Sequence, residues 1–403
     1  MKDDNRLAII GAAALPLGWF PDRLDLDAAI QVIRMAITDA GIDKKDIGAV
    51  FIAPPWGHEW LEYHLTCARL VDEFGLGMHN KYSGQVQAGG VSLIPMLGLI
   101  WGVLATEDVN CVLLVHTQSV SRLPLRLPPN AIKDFYRDSS RQYLEWEFPY
   151  GMTSDARAAM VAQRYMNETG TTPEQLASVV VSHRKWAQLN DDARFNTPVT
   201  IQDVLDSEIV ANPLHDLECS KLSDAASALI LTNAEKAKSI GRKPIYILGE
   251  GCGGCTHFSM VQKPDKDVTR IPGIHNATEK ALQEAKVKLE DIAVVEAFGG
   301  YPVFSLLALE EMGYCHRGEA GKFVMEGNTW PDGQLPMCTN GGALGAGHAG
   351  FGTSFMTLYE SVLQLREEAG KRQVNGAELA LCVCEETEAY MQFDVVVLGN
   401  QLT

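Results

Sequence analysis

The residues whose type and setting suit chemistry lie mostly in the second half of the chain. His348 closes a glycine run, Gly341-Gly-Ala-Leu-Gly-Ala-Gly-His348, just ahead of a helical pattern. An imidazole titrates near neutrality, so it suits a general base or a hydrogen-bond donor to a carbonyl oxygen. Glycines such as Gly342 and Gly347 let a substrate approach the backbone closely. A helix-capping histidine is the plain alternative. Cys382 and Cys384 end an apolar strand pattern. Each is either a proton carrier or nucleophile, or a small buried hydrophobe. Cys252-Gly-Gly-Cys255, with His257 close by, has redox or half-zinc-site spacing, but there is no second such pair. It reads as a glycine-rich loop with two incidental thiols. Gly90 stands at the head of an apolar helical pattern, where free backbone N–H groups can hold a carbonyl oxygen. Ser92 and Ser83 flank it and can hydrogen-bond a substrate, with no base and acid in view. Trp56, His58 and Trp60 form an aromatic-rich loop suited to a pocket wall, a subunit interface or the core.

Two copies of one strand–helix unit position these residues. Ala36-Ile-Thr-Asp-Ala-Gly-Ile42 lies over Ala281-Leu-Gln-Glu-Ala-Lys-Val287, and the match runs on without a gap. Asp46-Ile47 falls on Asp291-Ile292, and Ala49-Val50 on Val294-Val295. Each copy reads as amphipathic helix, short charged turn and apolar strand. Before each helix an apolar run enters a glycine, at Leu7-Ala-Ile-Ile-Gly and Pro244-Ile-Tyr-Ile-Leu-Gly. Each half then has a Gly-Gly pair, a long helical pattern and an apolar strand. Alternating strands and helices predict a mainly parallel sheet with helices on its faces. Between about residues 118 and 220 the alternation fails. A helix over Asp155 to Glu168, capped by Thr153 or Ser154, and another starting at Thr172-Pro173 read as an insertion that walls a site.

Bulk properties limit the function. The chain has 403 residues, 46% apolar and 21% charged, enough for a sizeable core. A net charge of −17 argues against nucleic acid and against anionic membranes. The uncharged stretch from Tyr82 to Thr106 holds five glycines and Pro95, which suits a loop and a buried helix better than a membrane span. Nine cysteines and a charged start lacking a signal peptide point to a reducing cytoplasmic setting.

Several motifs resemble the thiolase superfamily, especially the sterol-carrier-type thiolases. Gly341 to Gly350 resembles its glycine-rich turn ending in Gly-His-Pro. Val295-Glu-Ala-Phe298 resembles its Asn-Glu-Ala-Phe or His-Asp-x-Phe motif. Cys219-Ser-Lys-Leu-Ser-Asp resembles the lead into the last strand of the first half, and Tyr150-Gly-Met and Arg164-Tyr-Met resemble its loop insertion. The resemblance implies an α/β duplicated thiolase fold, two pseudo-symmetric αβα units forming a five-layered core. The N-terminal half would span 1–240, with a loop-domain insertion, and the C-terminal half 241–403. It also implies that His348, Cys384 (or Cys382) and Glu296 are catalytic.

The family carries its nucleophilic Cys at the position of Gly90, or in a second register at Val86. It carries Asn or His at the position of Val295. Gly-Gly-x-Ser in place of Cys resembles thiolase-like aldolases, marked by one Tyr where His348 stands and another for which Tyr301 is the candidate. The resemblance therefore implies retro-aldol cleavage of a bulky 3-hydroxyacyl-CoA. Thiolysis of a 3-oxoacyl-CoA without the usual Cys and a non-catalytic subunit are the rivals. Coenzyme A is the expected carrier, bound near Gly90, Ser92, Gly342 and Gly347, with no metal in this chain. A homodimer and a small zinc-ribbon/OB-fold protein are the expected partners.

Overall fold

The two copies read from the sequence fold as copies. The computed structural model describes residues 6–53, 66–86, 88, 90–106, 108–122, 150, 152–240, 242–254, 268–297, 299–386 and 392–402. In the first half, strand β1 (Leu7–Ala14) leads to helix α1 (Asp25–Ala40), then to β2 (Ile47–Ala53). Helix α2 (Thr66–Glu73), β3 (Tyr82–Gln85), α3 (Leu93–Leu104) and β4 (Cys111–Gln118) follow. The inserted region supplies α4 (Ser154–Thr169) and α5 (Pro173–Ala187), and β5 (Ala225–Asn233) completes the half. The second half runs β6 (Ile245–Gly254), α6 (Pro272–Ala285), β7 (Val294–Ala297), α7 (Pro302–Met312), α8 (Thr353–Arg366), β8 (Leu379–Glu386) and β9 (Gln392–Gly399).

The repeat extends to single residues. Helix α1 ends on left-handed Gly41 and α6 on left-handed Lys286, which are equivalent positions of the repeat. A Cβ on Gly11 would lie 2.5 Å from the Ala36 carbonyl oxygen, and one on Gly249 2.1 Å from that of Ala281. The same glycine-on-alanine approach seats the first strand on its helix in both halves.

The strands form one hydrogen-bonded sheet in the order β3-β2-β4-β5-β1-β6-β9-β8-β7. The halves join where Ala8 and Ile9 pair with Tyr246 and Ile245. The sheet is mixed, not mainly parallel as the strand–helix alternation suggested. Only β2–β3, β2–β4 and β7–β8 are parallel. The five residues 387–391 between β8 and β9 are too few for a crossover helix, so that pair is antiparallel. Helices α1 and α6 cover one face, and α3 and α8 cover the other. Helix α8 also reaches β1 and β5 of the first half.

The inserted helices start where the sequence placed them. Thr153 accepts from the Ala156 N–H, and Thr172 with Gln175 forms a reciprocal cap around Pro173. The uncharged stretch from Tyr82 folds as β3 plus the twelve-residue α3, and no described helix is long and apolar enough to cross a membrane.

Candidate active site

Strand β7 organises the site by holding the chain that returns to it. The Val295 N–H donates to the Pro336 carbonyl at 3.0 Å, and the Cys338 N–H donates to Val295 at 2.9 Å. The Val295 side chain is buried in the apolar core. It offers no hydrogen bond, as its type requires. The glycine turn begins a few residues later and rests on α5. Gly342 has φ 55°, and a Cβ there would lie 2.7 Å from the His183 ring. Gly347 has φ 116°, and a Cβ there would lie 2.6 Å from Ser223 Oγ. Both glycines therefore make room for protein side chains and for a left-handed turn.

His348 is stitched into the first half. Its N–H donates to the Lys221 carbonyl at 3.1 Å, and the Ser223 N–H donates to its carbonyl at 2.9 Å. Its Nδ1 lies 3.3 Å from Ser220 Oγ. Burial drives the imidazole down to about 4. At pH 7 the ring is neutral, with one nitrogen to donate and one to accept. Arg194 steadies the same strip from the insertion, donating to Leu222 O at 2.7 Å and Ser223 Oγ at 3.0 Å.

Tyr301 comes to this place through Ser220, whose N–H donates to the Gly300 carbonyl at 3.1 Å. The Tyr301 hydroxyl donates to Asp155 Oδ1 at 2.9 Å, across the first turn of α4. Cys219 also faces Asp155, and burial together with that carboxylate pushes its thiol up to about 12. Ser220 thus links the His348 ring to the backbone just before Tyr301, whose hydroxyl meets Asp155.

Gly90 lies buried three residues before Leu93, the first residue of α3, and Ser92 immediately precedes the helix. Ser92 Oγ accepts from the Ala88 N–H at 2.9 Å and closes the turn. No side chain caps α3. The alternative register fails, because the Val86 N–H still pairs with Ile52 at 3.0 Å alongside β2. Ser83 is exposed on the edge strand β3. On β8, Cys382 lies 3.0 Å from Ser361 Oγ, and burial pushes its thiol up to about 12. Cys384 lies 3.7 Å from Thr357 Oγ1, one helical turn nearer the start of α8 and the His348 turn. The strand continues through Glu385 and Glu386, where a loop would otherwise begin. Glu296 is buried beneath the glycine turn, bonded to Thr339.

The CxxC reading rests on one described thiol. Cys252 is exposed, and its pKa is raised to about 11 by partial burial and Asp394. Cys255, His257, Trp56, His58 and Trp60 lie outside the described residues.

Asp155, Ser220, His183 and His116 were not singled out from the sequence. His116 on β4 packs against Gly352 and Phe355 at the start of α8, and its Nδ1 lies 3.2 Å from the Ala53 carbonyl. A carbonyl only accepts, so Nδ1 carries the proton. The one sequence signal for Asp155 was its place in the first turn of a capped helix.

Residues 253–400 match the thiolase C-terminal domain-like family. An acetyl-CoA acetyltransferase of Methanothermobacter thermautotrophicus is 31% identical over 93% of this chain and 94% of its own length. The chain belongs to the thiolase superfamily. Among further relatives of this thiolase-superfamily enzyme, a steroid side-chain-cleaving aldolase of Thermomonospora curvata is 29% identical over 84% of this chain and 85% of its own. The solved structure of the Ltp2-ChsH2(DUF35) aldolase superposes with a TM-score of 0.82 at 25% identity, covering 98% of each chain. The superfamily's fold is thus the fold of this chain.

Proposed function

We propose that this enzyme cleaves the C2–C3 bond of a bulky 3-hydroxyacyl-CoA by a retro-aldol reaction. The observation that carries this is the Tyr301–Asp155 hydrogen bond, with Ser220 tying the Gly300 carbonyl beside Tyr301 to the His348 ring. Tyr301 oxygen takes the proton of the 3-hydroxyl while its own proton passes to Asp155. The C2–C3 electrons move onto C2, releasing a ketone or aldehyde and leaving a thioester enolate. Neutral His348 and the uncapped amides of α3 hold the enolate oxygen. Cys384 returns a proton to C2, and the shortened acyl-CoA leaves. Gly90, with no Cβ, leaves room for the acyl group at the helix head. The aldolase relatives support this reading.

Incubating the purified protein with 3-hydroxyacyl-CoA and 3-oxoacyl-CoA esters tests it. Cleavage of the hydroxy ester without free CoA is expected. Cleavage of the oxo ester alone, dependent on free CoA, would sink the proposal. That outcome favours thiolysis, which the 31% identical acetyltransferase keeps in view. An acyl adduct on Cys384, found by mass spectrometry, then marks the covalent route.

We infer two partners and a reducing cytoplasmic location, in keeping with eight free cysteines among the described residues. One partner is a second copy, seated on edge strand β3 and on the exposed Leu99 and Trp101 of α3. The other is a zinc-ribbon/OB-fold protein, as the Ltp2-ChsH2(DUF35) complex suggests. Sedimentation of the chain alone and with such a protein checks both.

A further inference from the structure

Glu296 takes no part in the steps above, yet it lies at the base of the turn that carries His348. Its carboxyl is fully buried. The Thr339 N–H donates to Glu296 Oε1 at 3.0 Å. Thr339 Oγ1 lies 2.5 Å from Glu296 Oε1 and 2.9 Å from Glu360 Oε1, and it also accepts from Gln364 Nε2 at 3.0 Å. Two such oxygen–oxygen contacts need two protons, and a threonine hydroxyl supplies one. Without a second proton, lone pair would face lone pair in a buried site. One of the two carboxyls must therefore be protonated.

Arg372 decides which one. Its Nε lies 2.9 and 3.1 Å from the two Glu360 oxygens, and its Nη2 lies 2.9 Å from Oε2. A guanidinium fork of this kind matches the two oxygens of a carboxylate and leaves no room for a proton between them. The proton therefore belongs to Glu296. Burial, and the negative charge of Glu360, raise Glu296 to about 8. The groups around it come from every packed element. Glu360 comes from α8, Arg372 from the turn at Gly370–Arg372, and Cys382 from β8.

The network continues into the turn. Asn340 Oδ1 accepts from the Gly342 N–H at 2.7 Å, and Asn190 Nδ2 donates to the Asn340 carbonyl at 2.8 Å. We propose that Glu296 is a neutral carboxylic acid that pins Thr339, and through it the His348 turn, as a positioning residue and not as an ionised acid–base catalyst. The inference rests on His348 lying in the site. Glu360 and Arg372 are the clamp that keeps the proton in place.

Infrared difference spectra of the wild-type enzyme, carrying carbon-13 glutamate, test the protonation with no substrate present. A protonated-carboxyl band at pH 6 that fades with a midpoint near 8, and is absent from Glu296→Gln, is expected. Absence of such a band at pH 6 overturns the proposal, whatever the reaction proves to be. Glutamine matches a protonated carboxyl in shape and in its ability to both donate and accept. Glu296→Gln is therefore expected to keep kcat/KM within about threefold and to leave the acid limb of the pH profile unmoved. A loss of a hundredfold or more with the melting temperature preserved identifies an ionised catalytic carboxylate and overturns it as well. A folded Glu296 that holds its proton up to about 8, against 4.5 ordinarily, makes folding take up a proton in that interval. Its contribution to stability is thus lost as pH rises from about 4.5 to 8, and Glu296→Gln is expected to flatten that decline.

Discussion

A phenol that already donates to a carboxylate has somewhere to send its proton. The proposed reaction uses Tyr301 and Asp155 as such a pair, although no catalytic motif marks Asp155. Tyr301→Phe removes the proton acceptor and keeps the ring. We expect kcat to fall roughly 10²- to 10³-fold with KM little changed, since positioned acid–base groups contribute on that scale. Asp155→Asn should fall by a similar factor. Steady-state kinetics on a 3-hydroxyacyl-CoA checks both. Equal activity in Tyr301→Phe would remove the phenol from the reaction. The two buried imidazoles carry a separate prediction. Burial lowers both His348 and His183 to about 4, with the Arg184 charge adding to the effect at His183. The unfolded chain takes up protons near 6.5 that the fold refuses. Stability should therefore be lost as pH falls from about 6.5 toward 4. Melting curves across that interval, with a shallower slope in His348→Gln, check it.

At the scale of elements, the repeat makes a symmetrical prediction. Gly11→Ala and Gly249→Ala each push a methyl into a helix carbonyl of the same repeat position. Overpacking of this kind costs about 1–3 kcal/mol, and the backbone has little freedom to yield. Urea denaturation should find both variants destabilised, Gly249→Ala at least as much as Gly11→Ala. A neutral result at either site would break the equivalence of the two strand–helix units. Helix positions and caps were legible because they depend on near neighbours, such as Thr172 with Gln175. Strand direction was not. It depends on which strands meet, and β8 and β9 run antiparallel with only five residues between them.

At the scale of the whole molecule, Arg366 is one of the arginines that join the halves, with Arg6 and Arg242. Arg366 of α8 donates to Asp39 Oδ2 at 2.7 Å and to the Ile10 carbonyl at 3.0 Å. Asp39 also accepts from the Ala12 N–H at 2.9 Å. The Arg366 side chain is 1% exposed, and replacing it leaves Asp39 with its Arg242 ion pair at 2.8 Å and the Ala12 N–H, but leaves the Ile10 carbonyl without this donor. Arg366→Met should lower the unfolding free energy by roughly 2 kcal/mol, the scale of lost hydrogen bonds to a charged group. Chemical denaturation measures the loss, and a loss confined to one half would show that the halves melt separately.

Sequence alone determined the duplication, the superfamily resemblance, the glycine at the head of α3 and the candidacy of His348, Tyr301 and Glu296. These are matters of residue type and short spacing, and each survives as a position in the fold. Tertiary structure decided the partners. Tyr301 meets Asp155 across a separation of 146 residues, and Thr339 bridges Glu296 to Glu360 across the sheet and α8. It also showed what else Gly342 and Gly347 do, since His183 and Ser223 fill the space where their Cβ atoms would stand. Hydrogen-bond partners so far apart along the chain leave no periodic mark in it. Only the packing of α4, α5 and α8 around the glycine turn brings them together.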